Sequence, residues 1–140
     1  MDYMTIGQFA KRTQLNVETV RYYELRGLIL KPPRSKSGYR QYSKEAITRI
    51  HFIKRAKELG FSLNEISELL SLRVDPNTTC DMVKTRARIK VADIECKIAT
   101  LQKMKLALVK LTKSCRGAGP TSECPILDFL ETPADESENQ

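Results

Sequence analysis

Residues 81–114 contain neither Gly nor Pro, and no other stretch limits the fold so tightly. Within them Val83, Ala87, Val91, Ile94, Ile98, Leu101, Met104, Leu108 and Leu111 recur at spacings of 4, 4, 3, 4, 3, 3, 4 and 3, with Lys and Arg between. On a helix this lays down one narrow apolar stripe. A chain of 140 residues lacking Trp cannot bury so long a stripe in its own core. It asks for a partner helix, so the period predicts a coiled coil, parallel or antiparallel.

Cysteines sit at both ends of this pattern. Cys80 opens it, and Cys115 and Cys124 bound the polar loop CRGAGPTSEC that follows it. At roughly 1.5 Å per residue, a helix from 80 to 115 holds its ends about 50 Å apart, beyond the reach of one metal ion. Within one subunit Cys80 cannot join Cys115. In an antiparallel dimer, Cys80 of one chain lies beside the 115–124 loop of the other, and three thiolates converge at each end.

Charge separates the two halves. Net charge is +7, with 13 Lys and Arg against 7 Asp and Glu in residues 1–70, and 11 against 10 in residues 71–140. A basic first half with interleaved aromatics suits a polyanion, above all nucleic acid. No apolar run approaches the roughly 18 residues of a membrane span, and MDYMTIGQFAKR lacks a signal-peptide pattern. The expected location is the cytoplasm, where thiols stay reduced and structural disulfides are disfavoured. Ligation is therefore favoured for Cys115 and Cys124, whereas Cys96 can be an ordinary small hydrophobe.

The first half reads as short capped helices. Thr5 with Gln8 forms a capping box, and Ile6, Phe9 and Ala10 mark an inward face. Asn16 caps a second helix, with Glu18, Arg21 and Tyr22 on one face and Val17 and Val20 on another. Two such helices joined by a tight turn are a helix-turn-helix. Next, ILKPPRSKSGYRQYS predicts a β-hairpin carrying Arg34, Lys36, Tyr39 and Arg40, a basic wing for phosphate oxygens. Ser43 is expected to cap a helix with Ala46, Ile47, Ile50, Ile53 and Ala56 inward, ended by Gly60; His51 lies here as a surface or half-buried residue. Ser62 with Glu65 caps a fourth helix bearing Ile66, Leu69 and Leu70. Asp75 and Pro76 either start the long helix or form a linker before a cap at Thr79. After Cys124, PILDFL predicts a short apolar helix able to close over the cysteine loop, and residues 131–140, with four acids, predict disorder.

TIGQFAKRTQLNVETVRYYELRGLI, SGYRQYS, GFSLNEISELL and ECPIL resemble, in order, the helix-turn-helix, wing, following helix and cysteine loop of the MerR family of metal-responsive transcription regulators. The resemblance spans roughly residues 4–130. It implies a mainly α protein: a winged helix-turn-helix DNA-binding domain (1–74), a linker and antiparallel dimerisation helix (75–114), a metal-binding loop with a short C-terminal helix (115–130), and an acidic tail (131–140). It further implies a homodimer on a promoter palindrome whose recognition elements lie too far apart. The metal-free dimer represses; the metal-bound dimer kinks and untwists the DNA so that RNA polymerase engages both elements. Glu18, Thr19, Arg21 and Tyr22 of the second helix and Arg34, Lys36, Tyr39 and Arg40 of the wing are then the DNA contacts, and Cys80, Cys115 and Cys124 the metal ligands. Cys80 matches the divalent-metal members, where the copper(I) type carries Ser. Spacings of 35 and 9 resemble mercury and lead sensors. The zinc type adds a second loop cysteine and a histidine, where Arg116 stands here; RVDPNTTC is similar to zinc and cadmium members. Three thiolates favour Hg(II), Pb(II) or Cd(II) over Zn(II).

Two alternatives within regulation are a thiol redox sensor closing a Cys115–Cys124 disulfide and a copper(I)-type sensor using only those two cysteines. An enzyme is disfavoured: a catalytic cysteine wants a histidine base, and His51 lies in the half assigned to DNA.

Overall fold

Reciprocal hydrogen bonds start the first helix. The Thr5 hydroxyl accepts from the Gln8 N–H (3.2 Å), and the Gln8 side chain accepts from the Thr5 N–H (3.0 Å). This satisfies two amides that a helix start leaves without partners. The structure, a computed structural model, describes residues 3–134. Among them the chain forms α1 (Ile6–Thr13), α2 (Val17–Leu25), α3 (Lys44–Glu58), α4 (Leu63–Val74), α5 (Cys80–Ser114) and α6 (Pro125–Glu131), with one 3-10 turn at Thr121–Glu123. The chain divides into two compact units, one up to Lys90 and one from Val91 on.

In the first unit α1 ends at Gln14, whose φ of 58° is left-handed, and the turn to α2 is short. The Asn16 side chain caps α2 by accepting from the Thr19 N–H and from its hydroxyl, both at 2.7 Å. α1 packs on α2 and α3, and α3 on α4. Phe9, Val20, Leu28, Tyr42, Ile50, Ile53 and Ile66 meet in the centre with no more than 1% exposure. Each contributes on the order of 1.5–3 kcal/mol of burial. Two cations of α3 brace the turns: Lys54 Nζ donates to the Thr13 carbonyl (2.9 Å), and Arg49 Nε to the Leu28 carbonyl (3.0 Å).

Two local expectations change, and one open alternative resolves. The hairpin predicted within residues 29–43 is reduced to a single antiparallel bridge, Arg34 with Arg40, turning at Gly38 with φ 87°. Pro32 and Pro33 have no N–H to give: the Pro33 carbonyl accepts from Gln41 (2.8 Å), but nothing returns. Instead the far end of the wing pairs with the chain start, where Met4 and Tyr42 exchange both backbone bonds (2.9 and 2.8 Å). Ser43 occupies the N-cap position of α3 without a side-chain cap bond; the Met4–Tyr42 pairing directs the chain into the helix there. Asp75 ends α4 and turns the chain by accepting from the Asn77 N–H (2.9 Å), so the linker alternative holds and α5 begins at Cys80.

α4 carries the second capping box, Ser62 with Glu65. The first part of α5 packs on it: Arg86 Nη1 meets Glu68 Oε2 (2.8 Å), and Lys90 Nζ meets Glu65 Oε1 (2.8 Å) while lying 5.4 Å from the Phe61 ring centre.

In the second unit the stripe is uncovered. Val91, Ile94, Ile98, Leu101, Met104 and Leu108 are 38–60% exposed. No helix is long and apolar enough to cross a membrane among the described residues. α6 begins with Pro125 at its first turn. Its Leu127, Phe129 and Leu130 stay 42–66% exposed, which leaves the apolar side of α6 uncovered in the single chain. Of the acidic segment, Glu131 closes α6, and residues 135–140 lie outside the described residues.

Candidate nucleic-acid interface and metal centre

The two faces of α2 separate as helical arithmetic requires. Val20, Tyr23 and Glu24 are buried, while Glu18, Arg21 and Tyr22 are exposed. Thr19 is half-buried and its hydroxyl is engaged with Asn16. Tyr22 is held from below: Arg26 Nη1 donates to its hydroxyl (3.2 Å), the guanidinium lies 5.9 Å from its ring centre, and Arg26 Nη2 donates to Asn64 Oδ1 (2.8 Å). Arg26 thereby ties the end of α2 to the start of α4. Neither Arg26 nor Asn64 stood out in the sequence, because the tie spans 38 residues.

On the wing, Arg34, Lys36 and Tyr39 are exposed, with Arg34 Nη1 donating to the Gly38 carbonyl (3.0 Å). Arg40 differs. Its Nη1 pairs with Glu24 Oε2, so its charge is partly turned inward while 27% of the side chain stays exposed. A hydrogen bond with Tyr42 is the main cause that raises the Arg40 pKa further, helped by the Glu24 carboxylate. Burial, then the bond to Glu24, raises the Tyr42 phenol, which stays a donor at any physiological pH. Glu24 was legible in principle: it lies four residues after Val20, on the inward face.

Lys90 was hidden in the basic run of α5 yet is 7% exposed. Its ammonium first, and the Ser62 amide second, lower the Glu65 carboxyl from 4.5 to about 2. A carboxyl lowered in the folded state stabilises above its ordinary pKa and loses that contribution as pH falls through the folded value. The urea midpoint should therefore fall between about pH 4.5 and 2, and Lys90→Met should make that decline shallower. Equal slopes in the two proteins would show that Lys90 does not govern Glu65.

All four cysteines are free. Cys115 is half-buried just after α5, and the Gly117 N–H donates to its Sγ (3.4 Å). The loop turns through Gly117 (φ 74°) and Gly119 (φ 101°), conformations that disfavour side chains. Cys124 is half-buried at the position before α6, and Cys80 and Cys96 are exposed on α5. Among the described residues no three His, Cys, Asp or Glu side chains gather into one set. The single chain thus does not assemble Cys80, Cys115 and Cys124. The loop itself suits a soft ion, since its two sulfurs are soft donors.

Comparison with known proteins places this geometry. The profile "MerR HTH family regulatory protein" matches residues 4–72, and "MerR, DNA binding" matches residues 47–111. The chain is 41% identical over 125 residues to the mercuric resistance operon regulatory protein of Bacillus cereus, covering 89% of this chain and 95% of that one. Its structure is similar to the transcription regulator PbrR691 of Ralstonia metallidurans CH34 in complex with lead(II): TM-score 0.81, 35% identity, 91% of this chain and 98% of that one. It is also similar to the dual function transcriptional regulator MerR of Bacillus megaterium MB1 in complex with mercury(II), with TM-score 0.70, 38% identity, and 92% and 100% coverage. With its helix-turn-helix, its wing and its long α5 all inside these matches, the chain belongs to the MerR family of DNA-binding transcription regulators, which are not enzymes.

Proposed function

We propose that this protein is a metal-sensing regulator that holds promoter DNA as a homodimer and activates transcription of metal resistance or efflux genes when a soft divalent ion binds. The uncovered stripe of α5 pairs with that of a second copy, antiparallel, so that the partner's Cys80 joins Cys115 and Cys124. The α2 residues Glu18, Arg21 and Tyr22 enter the major groove, and Arg34, Lys36 and Tyr39 of the wing take phosphates. Metal binding favours the dimer shape that distorts the DNA, which lets RNA polymerase engage both promoter elements.

The observation that carries the metal reading is the pair of half-buried cysteines that bound a loop without histidine, one of them accepting an amide hydrogen; Glu123 is the loop's one carboxylate. Such donors favour Hg(II), Pb(II) or Cd(II) over Zn(II). Relatives solved with lead(II) and with mercury(II), each matching over nine-tenths of this chain, support the same class of ion.

The test is a competitive titration of the reduced dimer with Hg(II), Pb(II), Cd(II), Zn(II) and Cu(I), read by thiolate-to-metal absorption and repeated on Cys80→Ser. Divalent ions should win and bind far more weakly to the variant. Tight Cu(I) binding unaffected by the substitution would instead make the two loop cysteines a copper site. In the same preparations Arg21→Ala should weaken DNA binding by about 1–3 kcal/mol with metal affinity unchanged. A parallel loss of metal affinity would contradict the division of labour between the helix-turn-helix and the loop.

A further inference from the structure

Glu24 is the one α2 carboxylate turned away from the groove-facing side, with its side chain 3% exposed. Its two oxygens are divided between two donors: Oε2 accepts from Arg40 Nη1, and Oε1 from the Tyr42 hydroxyl. Both donors sit on the returning arm of the wing. Tyr42 is itself fixed, stacked on Phe9 at 4.5 Å and 11° and paired through its backbone with Met4. Arg40 is bridged to Arg34, which begins the exposed basic turn.

A buried ion pair seldom adds much net stability, because desolvating both charges offsets their attraction. What it imposes is direction. Apolar contacts between α2 and the wing tolerate sliding; a carboxylate with one donor on each oxygen does not. The wing needs such a constraint, since its own ladder consists of a single bridge.

From this we infer that Glu24 is a positioning residue for DNA recognition: it sets where the wing cations Arg34 and Lys36 lie relative to the groove-facing residues of α2. Arg40 and Tyr42 are its instruments and act through the fold rather than on phosphate. This rests on the DNA-binding reading above.

The test uses the full-length dimer and a duplex that the wild-type protein selects from a random-sequence library. Glu24→Gln keeps the size of the side chain but places an amide where Arg40 needs a charge. Tyr42→Phe is the milder variant, removing one donor while keeping the stack and the ion pair. Binding is measured against salt concentration, and contacts are mapped by hydroxyl-radical footprinting, both below the unfolding temperature of each variant.

Losing the Arg34 and Lys36 phosphate contacts in both protomers, four in all, should lower the slope of log affinity against log salt by about 3.6. At 0.15 M salt this corresponds to binding weaker on the order of a thousandfold. Backbone protection beneath the wing should disappear while protection centred on the groove persists, with Tyr42→Phe moving the same way by less. A lowered melting temperature with slope and footprint unchanged would reduce Glu24 to a structural brace and overturn the inference. Loss of all protection would overturn it too, by showing that α2 itself has moved. If Glu24→Gln does not fold, Tyr42→Phe decides between the same outcomes. Failure of the wild-type protein to select any duplex would count against DNA binding itself and not against this role.

Discussion

Replacing Cys115 with Ser should lower the affinity for a soft divalent ion by on the order of 10²–10³-fold and abolish the metal response. Structural sites with three or four strong ligands bind with roughly 10–16 kcal/mol, so each thiolate carries about 3–4 kcal/mol. A serine hydroxyl does not ionise at neutral pH and is a hard donor, so it recovers little of that. The Gly117 amide that Cys115 Sγ now accepts would then meet an oxygen. The readouts are the thiolate-to-metal absorption band, which should lose intensity, and transcription from the target promoter, which should stay at its metal-free level while DNA occupancy is retained. Because thiolates must shed protons to ligate, fewer protons should also be released per metal bound. A promoter that responds equally to metal in wild type and variant would remove Cys115 from the sensor.

Phe9→Ala should cost about 3–5 kcal/mol of stability, the range for deleting a fully buried aromatic ring. Phe9 has no exposed surface, and its ring lies flat on Tyr42. The cavity therefore opens where α1, the chain start and the wing meet. Denaturant unfolding should show a fall in midpoint with little change in slope. Cys115 and Cys124 belong to the other compact unit, and Cys80, the proposed third ligand, lies outside the core that surrounds Phe9, so intrinsic metal affinity should persist under conditions where the variant is folded. A cost below about 1 kcal/mol would mean that the ring's place is readily refilled.

What could be read from the sequence is what short-range chemistry decides. The two capping boxes need only residues three apart, and both form as Thr5 with Gln8 and Ser62 with Glu65. Absence of Gly and Pro made α5 evident, and the inward positions Val20, Ile50, Ile53 and Ile66 followed from period alone. Longer-range features were hidden. Arg40 looked like its basic neighbours on the wing, but its direction is set by an acid 16 positions earlier. Lys90 sits among the solvated cations of α5, and only the placement of α4 turns it inward. Turn residues alone predict a fuller hairpin than forms, because Pro32 and Pro33 have no amides to give to a ladder. Cys115 and Cys124 stand out through their polar loop, whereas the proposed meeting with Cys80 would need a second chain.

The thinness of the wing has its own consequence. An isolated ribbon with two regular strands would carry rows of unpaired amides and carbonyls along its outer edges, a template on which other chains could grow. Here the prolines remove donors from one side, a single bridge replaces the ladder, and Arg34 and Lys36 keep neighbouring copies apart. A protein crowded onto DNA beside others of its kind thus offers little edge for strand-to-strand aggregation.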